Sequence, residues 1–130
     1  MKVLRVSFVG IRSANFAPTV DMFRDVLGMD LEFEHPGWAG FRLPSGTRDL
    51  LEVFGSADVD ERFVPAEFEA GVLVAFAVEN VVSAREELAG AGIELIGDMV
   101  WASDVTGDPA DHGWGWCFFR GPDGNVYVIQ

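Results

Sequence analysis

Along this chain, stretches in which apolar residues alternate with small or polar ones give way to stretches in which they recur every three or four positions. Phe8-Val9-Gly10-Ile11-Arg12-Ser13-Ala14-Asn15 alternates and ends at an asparagine, and Leu73-Val74-Ala75-Phe76-Ala77-Val78-Glu79-Asn80 does the same. Alternation of this kind marks a strand with two unlike faces. A helical pattern follows each one. Over residues 16–27, Phe16, Val20, Phe23 and Leu27 fall on one helical face, with Pro18 in the first turn and Gly28 as the stop. Over residues 81–91, Asn80 is placed to cap the helix, Val81, Ala84, Leu88 and Ala91 form the apolar stripe, and Gly92 ends it. Glu86 and Glu87 are left facing water.

After each helix the pattern predicts a further strand (29–34 and 93–100), a polar or glycine-rich break and a hairpin. The first hairpin joins 38–43 to 49–54 across Pro44-Ser45-Gly46-Thr47, and the second joins 114–120 to 126–130 across Gly121-Pro122-Asp123-Gly124-Asn125. Proline and glycine at such positions supply turn geometry. The chain therefore reads as one α+β domain of two tandem βαβββ modules, residues 1–55 and 71–130. An acidic linker over 56–70, carrying Asp58, Asp60, Glu61, Glu67 and Glu69, joins them. One helix covers one face of a four-stranded sheet. Two such units are expected to form a curved mixed sheet around a concave cleft, helices outside, where a ligand would bind. Residues 103–113 read as a second long loop.

Composition narrows the possible partners. The 130 residues are 49% hydrophobic, which suits a packed core and excludes disorder for the whole chain. No apolar run approaches a membrane helix, and Arg5 interrupts the first strand, so neither a membrane span nor a leader is read. The single cysteine, Cys117, excludes an internal disulfide and reads as a core thiol, and a cytoplasmic location is expected. The formal net charge of −12 argues against nucleic acid and favours cations over anions.

Three stretches and a closing run carry a resemblance that spans essentially the whole chain, the three being Phe8-Val9-Gly10-Ile11-Arg12, Met22-Phe23-Arg24-Asp25-Val26-Leu27-Gly28-Met29 and Leu51-Glu52-Val53-Phe54. The closing run Phe118-Phe119-Arg120-Gly121-Pro122-Asp123-Gly124-Asn125-Val126 is the most specific. In this order they resemble the vicinal-oxygen-chelate superfamily of glyoxalases, bleomycin-resistance proteins and dioxygenases. Metal-using members place His, Glu, His and Glu on strands one, four, five and eight. Carried over, those positions fall on Phe8, Glu52, Leu73 and Val128. Phe, Leu and Val have no lone pair to offer a divalent ion. A one-residue shift to Ser7, Val9, Val72, Val74, Tyr127 or Ile129 brings in no histidine or acid. No metal and no cofactor are therefore expected. The resemblance also implies a homodimer, in some relatives with strands exchanged.

Glu52 is the main chemical candidate. It reads as a carboxylate that binds a cation or acts as a base, or else as a strand residue paired with Arg42 or Arg48. An apolar setting of Phe8, Leu73 and Val128 would raise its pKa. Phe54 shares its strand. The four tryptophans, Trp38, Trp101, Trp114 and Trp116, lie in or beside strands expected to border the cleft. Alternation sets Trp114, Trp116, Phe118 and Arg120 on one face, available to stack a ligand or to fill the core. Arg120 would meet an acidic ligand group or tie the turn at Asp123. His35 and His112 sit in loops, and His112 with Asp104, Asp108 and Asp111 reads as an exposed acidic loop. Three functions follow. One is metal-independent capture of a small aromatic or cationic organic molecule, as bleomycin-resistance relatives sequester a drug. A second is a glyoxalase-like lyase, isomerase or thiol transferase using Glu52. The third is a degenerate paralogue valued for its dimer surface.

Overall fold

The structure, a computed structural model, describes residues 1–43, 50–55, 59–69 and 71–130. The turn Pro44-Ser45-Gly46-Thr47, Arg48 and Asp58 lie outside the described residues. Two compact units are present, Val6–Val74 and Met1–Arg5 together with Ala75–Gln130.

The Val6–Val74 unit takes in β1 (Val3–Ser13) from Val6 onward, α1 (Phe16–Asp21), β2 (Asp30–His35), β3 (Trp38–Arg42) and β4 (Leu50–Gly55). Its strands lie in the order β2-β3-β4-β1. β1 runs parallel to β4 with Phe8 beside Leu50, Gly10 beside Glu52 and Arg12 beside Phe54, whereas β2-β3 and β3-β4 are antiparallel. One face of this mixed sheet packs on the helix. Val20, Ala39, Phe41 and Val53 are its buried centre, with Phe16, Phe23, Met29, Leu31 and Leu51 around them. Odd-numbered residues of β3 and β4 thus face the helix, and the pleat sends Trp38, Gly40, Glu52 and Phe54 to the opposite face.

The other unit repeats the plan with β5 (Gly71–Val78) from Ala75 onward, α2 (Val81–Gly90), β6 (Glu94–Trp101), β7 (Gly115–Arg120) and β8 (Val126–Ile129), in the order β5-β8-β7-β6. Asn80 caps α2 by accepting a hydrogen bond from the Ser83 amide at 3.0 Å, and Gly92 takes φ +77° at the stop. The helix-side core here is Ala84, Cys117 and Ile129, flanked by Phe76, Val78, Val81, Leu88, Met99 and Phe119. Cys117 is a buried core thiol, and burial pushes its pKa up to about 11. The α+β class and the two βαβββ modules expected from the pattern are therefore both present.

Three local expectations need correction. Residues 16–27 are not one α-helix: α1 ends at Asp21, and Met22–Val26 form a π-helical turn closed by Leu27 N–H donating to the Met22 carbonyl at 3.0 Å. The extra residue in that turn moves the apolar stripe out of phase. Leu27, assigned to the core from its spacing, is exposed, as are Val26 and Met22. Ala91 is likewise exposed, because α2 stops at Gly90. The loop expected over 103–113 contains a short helix, α3 (Ala102–Thr106), and a 3₁₀ turn at Pro109–Asp111, with Thr106 Oγ1 donating to Asp111 at 2.7 Å and Asp108 accepting from the Ala110 amide.

Because Asn80 satisfies an amide that α2 cannot, Asn80→Ala should lower stability by about 1 kcal/mol. Urea unfolding would show it as a lower midpoint with an unchanged slope.

Candidate functional site

The face of the Val6–Val74 sheet turned away from α1 is built from aromatic rings laid on glycines. Phe54 and Phe8 crowd Gly10: a Cβ there would stand 2.8 Å from Phe54 Cε2 and 3.4 Å from both Phe8 Cε2 and Leu73 Cβ. On β3, a Cβ at Gly40 would stand 2.4 Å from the Phe33 ring. Any other residue at either position would push a ring off the backbone. Phe33, His35 and Trp38 continue the layer, with centroids 4.5 Å apart for Phe33–Trp38 and 5.4 Å for His35–Trp38.

Glu52 stands in this layer and is only 6% exposed. Its Oε2 accepts a hydrogen bond from Trp38 Nε1 at 3.0 Å. Burial raises the carboxyl pKa to about 7, and the indole N–H, which favours the ionised form, opposes that rise. Pairing with Arg42 does not occur: Arg42 donates from Nε to Glu32 at 2.9 Å, across β2 and β3. Arg42 is exposed at the end of β3, where Glu32 is the nearer carboxylate and both can stay hydrated.

The described part of the segment read as a linker lies on this site. Phe63 stacks on Trp38 with centroids 4.2 Å apart and planes 28° apart. Val64, Pro65 and Phe68 are buried, and Arg12 Nη1 donates to the carbonyls of Pro65 and Phe68. Asp60, Glu61, Glu67 and Glu69 drew attention to the segment's charge, yet Phe63, Val64 and Phe68 interleaved with them were the signal of a covering strap. Phe33, Phe63, Arg12, Gly10 and Gly40 are thus added to the candidate set.

Phe8, Trp38, Glu52, Phe54 and Leu73 are brought together in one unit. Trp101, Trp114, Trp116, Arg120 and Val128 belong to the other. There, Trp116 and Phe118 turn away from α2, Phe118 pairs with Val128, and all three are buried. Trp101 is packed so closely on Gly115 that a Cβ would come within 2.7 Å of its ring. Trp114 is 50% exposed and tilted against Trp116 at 5.9 Å. Arg120 holds the closing turn through the Gly124 carbonyl (3.1 Å) and pairs with Glu94 (3.3 Å). Asp123 instead accepts from Tyr127 Oη at 2.6 Å.

The positions matching the superfamily's metal ligands hold Phe8, Glu52, Leu73 and Val128, which together offer one carboxylate. Among the described residues no group of three or more His, Cys, Asp or Glu side chains could share an ion. This donor set does not fit a divalent cation.

A model of the Glyoxalase/Bleomycin resistance protein/Dioxygenase superfamily matches residues 5–129, and the chain belongs to that superfamily. None of the curated proteins compared matches it. Solved structures share its fold at low identity. Methylmalonyl-CoA epimerase from Mycobacterium tuberculosis is 20% identical (TM-score 0.66, covering 98% of this chain and 87% of that one). A glyoxalase/bleomycin resistance protein/dioxygenase superfamily member from Vibrio splendidus is 17% identical (TM-score 0.61, 97% of each chain). A hypothetical protein from Bacillus halodurans is 16% identical (TM-score 0.67, 96% of this chain and 91% of that one). No helix among the described residues is long and apolar enough to cross a membrane.

Glu52 has a folded-state pKa of about 7 against an ordinary value of 4.5. A raised carboxyl pKa stabilises the fold fully below the unfolded value, and this contribution is lost as pH rises through the folded one. Stability should fall between about pH 4.5 and 7, by up to about 3 kcal/mol. Glu52→Gln should flatten that fall and be the more stable form at pH 8. Chemical unfolding of both proteins at pH 5 and 8 measures it.

Proposed function

We propose that this superfamily member is a metal-independent binding protein that captures a small aromatic cation at Trp38 and Glu52. The observation that supports this most directly is the buried carboxylate hydrogen-bonded to an indole within a layer of rings. Cation–π contact with a desolvated indole contributes about 2 kcal/mol, and a buried acid beside it supplies the opposite charge. The net charge of −12 draws cations toward the protein. Because the carboxyl titrates near neutrality, cation binding is coupled to release of its proton.

The affinity for a planar aromatic cation should rise as pH goes from about 6 to 8, through the Glu52 pKa of about 7, and level off above it. Glu52→Gln should weaken binding by at least about tenfold at pH 8 and abolish the pH dependence. Calorimetric titration of N-methylacridinium into both proteins measures this, and a parallel titration with Zn²⁺, Ni²⁺, Mn²⁺, Fe²⁺ and Co²⁺ should show no stoichiometric binding. Tight binding of any of these ions would overturn the metal-independent reading.

A second reading is favoured by the same carboxyl: a group poised near pH 7 suits a general base in a glyoxalase-like lyase or isomerase. It calls for turnover that vanishes in Glu52→Gln. Incorporation of solvent deuterium into acidic carbon centres, methylmalonyl-CoA included, would separate catalysis from capture.

A further inference from the structure

Capture at Trp38 requires one face of its indole, and the protein already fills a face of that ring. Phe63 stacks on it at 4.2 Å, closer than Phe54, whose nearly parallel ring is 6.5 Å away. Phe63 is carried by neither helix nor strand. Residues 59–69 form a strap of tight turns, with the Phe63 amide donating to the Asp60 carbonyl at 2.9 Å and the Phe68 amide to the Pro65 carbonyl at 3.0 Å. Among the described residues, buried side chains and the Arg12 guanidinium hold it to the sheet. Val64 and Phe68 are anchored in the interior, and Arg12 Nη1 reaches up from β1 to the carbonyls of Pro65 and Phe68. Phe63 itself is only half-buried, as is Trp38, so this pair lies at the water boundary while Val64, Pro65 and Phe68 do not. A segment held without a strand ladder opens at lower cost than the sheet beneath it.

We propose that Phe63 is a built-in competitor: it occupies the stacking position on Trp38 that an aromatic ligand takes, and Arg12 is the latch that holds the strap over Glu52. The proposal rests on the capture reading above and adds how access to that site is set. A ligand binds only the fraction of molecules in which Phe63 has left Trp38, so its apparent affinity is the intrinsic affinity reduced by that fraction. The strap's exposed acids, Glu61, Glu67 and Glu69, leave a negative rim when it lifts, which again selects cationic aromatics, whereas Asp60 is paired with Arg62.

N-methylacridinium, followed by quenching of its fluorescence, tests this on the full chain. Phe63→Ala should bind about tenfold tighter than wild type and associate faster, since the competing ring is gone. Arg12→Gln should shift affinity in the same direction by less. Phe63→Leu keeps apolar bulk without a π face and decides the matter if the alanine variant fails to fold. Its affinity should fall between wild type and Phe63→Ala. Hydrogen exchange at amides 62–69 of wild type should speed up when the dye binds. Wild-type binding with unchanged or weaker affinity in the folded Phe63 variants overturns the competitor and leaves capture standing. Absence of binding by wild type and every variant overturns both. Binding by the Phe63 variants alone supports the competitor in its strongest form.

Discussion

A carboxylate withheld from water beside an indole N–H is the constraint around which the Val6–Val74 unit is arranged. Moving Glu52 into the layer of rings disfavours its charge, and the Trp38 hydrogen bond returns only part of what hydration gave. Everything adjacent limits solvent at that one group. Phe54 lies over Gly10, Phe33 over Gly40, and the strap brings Phe63, Val64 and Phe68. An apolar residue at position 52 would remove the cost outright, so the fold gains nothing in stability from the acid.

Superfamily membership and site chemistry give separate information here. The shared fold sets which strand positions lie beside one another, and it does so with little identity to the solved structures it resembles. What stands at those positions is this chain's own. Phe8 and Leu73 set apolar side chains against Gly10, the β1 neighbour of Glu52, at positions where the resemblance expects ligating donors. The fold explains where the acid is, and the neighbouring side chains explain what it can do.

The alternation of β1 and β7 was legible in the sequence, but the face that Trp38 shares with Glu52 and Phe54 follows from the β3-β4 register, which became fixed once the opposite face packed on a helix. The same alternation placed Trp116 and Phe118 opposite Cys117. Three features were not legible. The turn at Met22–Val26 depends on a backbone hydrogen-bond register that carries no side-chain signature, so Leu27 looked like core. The strap was masked by its acids: periodicity finds regular elements, and residues 59–69 form none, although Val64, Pro65 and Phe68 are buried. The Arg12 latch binds main-chain carbonyls, which no pairing of residue types reveals.

The π-helical turn also bears on the internal duplication. Both halves order their strands alike, which invites a residue-for-residue correspondence between them. Met22–Val26 breaks that correspondence, since α2 runs through the equivalent stretch with no such widening and buries Ala84 on an unbroken face. Downstream of Met22 the two copies are offset, so a role inferred for a side chain in one half has no counterpart found by counting in the other. The repeated strand order thus carries two dissimilar surfaces. Among the described residues, an acid is buried among rings in the Val6–Val74 unit alone.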